Sequence, residues 1–248
     1  MSKRVALVTG GTGGLGTAIC RRLVSEGYVV AAGYNSGGDH DKAKAWQEEQ
    51  RAAGFDIHIS FGDVRDFDSC GRCIDDVQTR LGPVDVLVNN AGITRDSTLR
   101  KMTKEQWDAV LVSNLDSVFN MTRHVINGMV DRGFGRIVNV SSVNAQKGQL
   151  GQTNYAAAKS GIHGFTKALA QEVARKGVTV NTVSPGYIAT KMVMAVAPEI
   201  RDEIIRGIPV GRLGTPEEVA HAVAFLISEQ SGFITGANLS LNGGQHMF

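Results

Sequence analysis

The sequence predicts an α/β fold, a single domain in which a mainly parallel sheet of about seven strands is doubly wound between two helical layers, a three-layer αβα sandwich. Runs of strand length alternate with longer stretches of helical period along all 248 residues. Most strand-like runs are β-branched and apolar on both faces, which suits strands covered by helices on two sides. No Pro- or Ser-rich linker interrupts the alternation, so residues 1–248 read as one domain.

In chain order, the first strand spans 5–9 and runs into a glycine-rich turn that opens a helix near 15–26. A second strand, 29–33, is followed by the Ser36-Gly37-Gly38 loop and a helix near 41–53. Strand 57–61 precedes a helix near 67–81, and strand 84–89 leads through Asn90-Ala91-Gly92 to a long helix near 104–131. Strand 136–141 precedes a helix near 154–176, and strand 178–184 ends against Pro185-Gly186. A helix near 216–228 and a strand over 238–241 complete the pattern. The connections are rich in Gly, Asp, Asn or Pro, and right-handed crossovers put helices on both faces of the sheet.

Composition narrows the partners. The 26 basic and 24 acidic residues are spread along the chain without a block, which speaks against nucleic acid and for small molecules. No apolar run approaches the length of a membrane span, and the residues before Thr9 are too few for a secretory h-region, so a cytoplasmic protein with no membrane partner is expected. Cys70-x-x-Cys73 lacks both a preceding strand and a second Cys/His pair. It reads as helix packing rather than as a metal or redox site.

Strand 5–9 runs directly into Gly10-Gly11-Thr12-Gly13-Gly14-Leu15-Gly16 and then a helix, the context that a dinucleotide-binding turn requires. Glycines let backbone approach a pyrophosphate, and the helix N-terminus offers free N–H groups and positive dipole character to its oxygens. The fold is therefore Rossmann-type. An acid at the end of the second strand would bind the ribose 2′-hydroxyl of NAD(H). Here that place reads Gly33-Tyr34-Asn35-Ser36, with no carboxylate, and Lys42 and Lys44 follow. NADP(H) is predicted, with Asn35 and Lys42 as candidate contacts, although Asp39 and Asp41 share the loop and Lys42 also reads as a solvated helix-start charge.

Tyr155 and Lys159 lie four residues apart, one helical turn on the same face. Moving a phenol from a pKa near 10 toward neutrality takes about 4 kcal/mol of preferential phenolate stabilisation, part of which an adjacent ammonium can supply. Thr9-Gly-x-x-x-Gly-x-Gly16, Asn89-Asn90-Ala91-Gly92, Asn114, Ser142, Tyr155-x-x-x-Lys159 and Pro185-Gly186 together resemble the classical short-chain dehydrogenase/reductase family over essentially the whole chain. The resemblance implies that Tyr155 donates a proton to a substrate carbonyl oxygen and Ser142 polarises the same oxygen. It further implies that Lys159 lowers the phenol's pKa and binds the nicotinamide ribose, and that Asn114 holds a water for proton resupply. It places Asp63 and Val64 at the adenine, Asn90, Ala91 and Gly92 under the adenosine ribose, and Pro185, Gly186, Ile188 and Thr190 at the nicotinamide. A helix N-cap is the other reading of Asp63, and packing is the reading favoured for His163. Gly13 stands where related fatty-acid-synthesis reductases often carry an arginine for the 2′-phosphate.

Segments 142–155, 178–190 and 241–247 resemble the members that reduce acetoacetyl-CoA with NADPH to the (3R)-3-hydroxyacyl thioester for polyhydroxybutyrate synthesis. The sister activity on acyl carrier protein is the alternative, and a nucleotide-binding regulator without turnover is disfavoured by the intact Ser142, Tyr155 and Lys159. By the same resemblance, Asp96, Gln149, Leu150, Gln152 and Tyr187 line the acyl and pantetheine channel, with Leu150 and Tyr187 closing its far end under a lid over 191–212. Small and apolar residues nearly encircle the helix of Tyr155, more than one core-facing stripe needs. The resemblance assigns the second face to a homotetramer.

Overall fold

Strands that are apolar on both faces need helices on both sides, and the computed structural model shows that arrangement for residues 3–247, the side chains of Ser36 and Met192 apart. The strands are β1 (Val5–Thr9), β2 (Val29–Tyr34), β3 (Ile57–Phe61), β4 (Val84–Asn89), β5 (Gly135–Val140), β6 (Val178–Pro185) and β7 (Asn238–Leu241). They form one sheet in the order β3-β2-β1-β4-β5-β6-β7, every pair parallel. Successive residues of β1 feed opposite layers: Ala6 and Val8 pack with Ile19, Leu23, Val223 and Ile227, while Val5 and Leu7 pack with Ile74, Val77, Met121 and Met129.

The helices are α1 (Gly14–Ser25), α2 (His40–Ala52), α3 (Phe67–Leu81), α4 (Lys104–Leu111), α5 (Ser117–Asp131), α6 (Asn144–Lys147), α7 (Thr153–Val173), α8 (Lys191–Met194), α9 (Pro198–Arg206) and α10 (Pro216–Ile227). The long helix expected over 104–131 runs unbroken, with a π turn, Val112–Asp116, joining α4 and α5. Such turns cluster at functional sites, and this one carries Asn114. The short α6, α8 and α9 escaped the periodicity because four to nine residues hold too few turns to show a period. Cys20, Cys70 and Cys73 are free and buried, packed inside their helices. Among the described residues no helix is long and apolar enough to cross a membrane.

The chain runs outward from β1 to β3, then returns past β1 to β4. The crevice where the order reverses, at the carboxyl ends of β1 and β4, is where open α/β sheets bind ligands.

Candidate active site

The glycine turn lies at that crevice. Gly16 packs so tightly beneath it that a Cβ there would fall 2.2 Å from the Gly10 carbonyl oxygen. Gly13 caps α1 without any side-chain hydrogen bond, and no acid stands in the first turn. The N–H groups of that turn and its dipole are therefore free for an anion, which fits a dinucleotide pyrophosphate. Opposite, Thr9 Oγ1 accepts from the N–H groups of Asn90 and Ala91, each at 3.0 Å, and Asn90 Nδ2 donates to the Thr9 carbonyl at 2.9 Å. These bonds stitch the end of β4 to the end of β1. One cavity runs from Gly10, Thr12, Gly13, Gly14, Leu15 and Gly16 past Asn90, Ala91 and Gly92 to Thr190.

Tyr34 and Asn35 line this cavity, and Asn35 also borders a small cleft with Val64, Gly62 and Cys73. Asp63 is not the helix N-cap, since Asp66 takes that place on α3. Its carboxylate is held by both Nε and Nη2 of Arg65 and by Asn35, and the Arg65 hydrogen bond keeps it below the usual carboxylate range. Lys42 departs from expectation. It is exposed in the first turn of α2, its backbone N–H donates to Asp39, and it stands outside the walls of the cavity. The reason is the turn at 36–38, with positive φ at Gly37 and Gly38, which ends in the Asp39 cap and starts α2 away from the cavity.

A second cavity, about 330 Å³, shares Leu15, Asn90, Gly92 and Thr190 with the first and holds the expected chemistry: Asn114, Ser142, Tyr155 and Lys159, with Pro185, Gly186, Ile188, Gln152 and Tyr187 on its walls. Ser142 follows β5, while Tyr155 and Lys159 stand one turn apart on α7. The Ser142 hydroxyl and the Tyr155 phenol line the same cavity, and Ser142 acts to lower the phenol. Burial nevertheless raises the phenol above its ordinary value, the Asp96 charge adds to the rise, and Ser142 only partly offsets it. Lys159 does not lower it here, contrary to expectation. Its Nζ stands 5.7 Å from the ring centroid and donates to the Val140 carbonyl at 2.8 Å, and burial pushes the ammonium itself down to about 8.

Asn114 is fully buried, with Nδ2 donating to the carbonyls of Ile93 and Val110, both at 2.9 Å. Its Oδ1 has no hydrogen-bond partner. A Cβ at Gly92 would lie 2.3 Å from this oxygen and 3.5 Å from Lys159 Nζ, so only glycine leaves the space between them open. That polar gap suits the water expected beside Asn114.

Three channel residues fall elsewhere. Leu150 is 89% exposed and Gln149 accepts from Lys147 Nζ, both outside the cavity, so Leu150 does not close its far end. They stand in the turn between α6 and α7, which projects from the mouth. Asp96 stands outside the cavity wall, hydrogen-bonded to the site through Gln152 Nε2, which donates to it at 2.8 Å. His163 packs against Ser184 at 3.3 Å, and burial lowers its ring below its ordinary value. Asn144 and Val143, wall residues that the motifs did not mark, come from the α6 turn. Only their nearness to Ser142 in sequence signalled them.

The model of the short chain dehydrogenase family matches residues 4–201. The chain is 60% identical to an acetoacetyl-CoA reductase of Cupriavidus necator, covering 100% of both chains. It is 53% identical to an acetoacetyl-CoA reductase of Allochromatium vinosum, over 98% of this chain and 99% of that one. It is 43% identical to a 3-oxoacyl-[acyl-carrier-protein] reductase of Vibrio harveyi, over 98% of each. With the glycine turn, Asn114, Ser142, Tyr155 and Lys159 gathered on one crevice and a matching family model over most of its length, this chain belongs to the short chain dehydrogenase family.

Proposed function

We propose that this protein reduces acetoacetyl-CoA to (3R)-3-hydroxybutyryl-CoA with NADPH, the step that supplies polyhydroxybutyrate synthesis. The observation that carries the substrate is the full-length likeness to two acetoacetyl-CoA reductases, at 60% and 53% identity. NADPH, when bound, supplies the hydride. The glycine turn, Asn90–Gly92, Asn35 and Thr190 would hold it, with Asp63 and Val64 at the adenine and Pro185, Gly186 and Ile188 beside the nicotinamide. NADPH over NADH is supported by the absence of a carboxylate at the end of β2, where Tyr34-Asn35 stands, and by the engagement of Asp39 as helix cap and Asp41 with Lys44.

The residues of the cleft divide the work. The raised Tyr155 phenol keeps its proton through neutral pH, as a donor to a keto oxygen must, and Ser142 donates to the same oxygen as charge develops on it. Lys159, poised near neutrality by burial, accepts and releases protons on the path past Asn114. A binder without turnover has no use for such a donor. The protein is read as cytoplasmic and as a homotetramer, the latter because Ala157, Ser160, Gly164 and Ala168 of α7 are exposed in the single chain, Ala168 sharing a surface cavity with exposed Phe119 of α5.

A competition between acetoacetyl-CoA and acetoacetyl-acyl-carrier-protein, read as kcat/KM, tests the assignment. The CoA thioester is expected to win. A carrier-protein advantage of about tenfold, equal to about 1.4 kcal/mol in transition-state binding, replaces this reading with the fatty-acid-synthesis one.

A further inference from the structure

Ser142 is not alone at the end of β5. Its Oγ accepts a hydrogen bond from the backbone N–H of Asn144 at 3.1 Å. A serine hydroxyl has one proton and two lone pairs, and accepting a bond makes it a stronger donor. The Asn144 N–H therefore primes Ser142 to donate its one proton to a substrate oxygen.

Besides the backbone bonds of the α6 turn, a chain of side chains ties Asn144 in place. Asn144 Nδ2 donates to Gln152 Oε1 at 2.9 Å, and Gln152 Nε2 donates to Asp96 Oδ2 at 2.8 Å. The polarity of this chain follows from one end. A carboxylate only accepts, so Gln152 turns its amide nitrogen to Asp96 and its oxygen to Asn144, which must answer with its own nitrogen. Asn144 Oδ1 is then left buried without a partner, on a residue 8% exposed. Flipping the Asn144 amide alone would set two oxygens face to face, so the direction of the chain is fixed.

We propose that Asn144 is a positioning residue for Ser142, locked by a relay from Asp96 through Gln152, so that these residues act on proton donation as well as on the shape of the cleft. The proposal rests on the reductase reading of this site and assigns Gln152 a duty other than substrate contact. A substrate contact would express itself in KM; a relay to Ser142 expresses itself in kcat and only while Ser142 is present.

The test is a pair of double-mutant cycles: Asn144→Ala with Ser142→Ala, and Gln152→Leu with Ser142→Ala, the second breaking the relay one bond away should the first disturb folding. NADPH binding by fluorescence serves as the folding check, and each cycle is run on acetoacetyl-CoA and on ethyl acetoacetate, which lacks the CoA arm. Each single relay change is expected to lower kcat about tenfold with KM moved by less than about threefold and NADPH affinity retained. In the Ser142→Ala background the same changes are expected to cost less than about twofold. A full loss in that background, an unchanged kcat, or a rise in KM alone overturns the proposal. Failure of the wild type on acetoacetyl-CoA with turnover of ethyl acetoacetate defeats the CoA reading instead, and the ester cycle still decides the relay.

Discussion

Tyr155 and Lys159 show how one residue pair carries different physics when read from spacing and from space. Four-residue spacing put the ammonium on the phenol's face, and the sequence reading expected it to pull the phenol's pKa down. Burial dominates both groups: the phenol rises, with no offset from Lys159, and the ammonium falls to about 8. Replacing Tyr155 by Phe removes the donated proton and leaves the glycine turn intact. Turnover is expected to fall about 10²- to 10⁴-fold with NADPH affinity preserved, and retention of a tenth of wild-type kcat would remove Tyr155 from the acid role. The sign of the pH dependence follows from Lys159. Below about 8 it carries the proton that resupplies Tyr155, and above that value it loses it. The rate of reduction is expected to decline as pH rises through about 8, measured as kcat for NADPH oxidation between acid and alkaline buffers; a profile still flat well above that value contradicts it.

At the scale of elements, the junction of β2 and α2 is where the proposed cofactor preference would be set. With Asp39 capping α2 and Lys42 outside the cavity walls, Asn35, beside Tyr34, borders both the glycine-turn cavity and the small cleft lined by Gly62, Val64 and Cys73. Asn35→Asp restores a carboxylate at the place that binds a ribose 2′-hydroxyl and repels a 2′-phosphate. The ratio of kcat/KM for NADPH to that for NADH is expected to drop by about tenfold, in line with the loss of one charge-assisted contact. An unchanged ratio would show that the preference is set elsewhere. The glycine turn is less forgiving. Gly16→Ala drives a Cβ into the Gly10 carbonyl, and an overpacked contact of that kind costs about 1–3 kcal/mol. Lower thermal stability together with weakened NADPH binding is expected, and a variant with wild-type values for both would mean that the turn relaxes freely.

The element scale also marks the limit of periodicity. All seven strands were legible because β-branched runs of four to eight residues between Gly, Asn and Pro admit little else, and every one forms within a residue or two of its expected bounds. The π turn at Asn114 was not legible. Residues 104–131 have helical period throughout, and the π turn shifts the register by one residue without altering composition.

For the whole molecule, the open question of assembly sits on α5 and α7. Gly164 has nothing within 4 Å of where a Cβ would project, and Ala168 beside it is exposed. Ala168→Glu places a charge on this face without touching the cleft. If the proposed tetramer forms on this face, sedimentation of the variant is expected to show smaller species that still bind NADPH, whereas a variant that sediments as the wild type does would assign any interface to another face.

Local chemistry was enough for the sequence to determine the sheet, the phosphate-binding turn and the order of Asn114, Ser142, Tyr155 and Lys159, because strand composition, glycine spacing and helical repeat act over a few residues. Tertiary structure alone decided which way each pKa moves, that Lys42, Gln149 and Leu150 stand outside the cavities, and that Asp96 reaches Ser142 through Gln152 and Asn144. Desolvation and hydrogen-bond polarity sum over every element packed around a group, and Asp96 and Gln152 stand 56 residues apart in the chain.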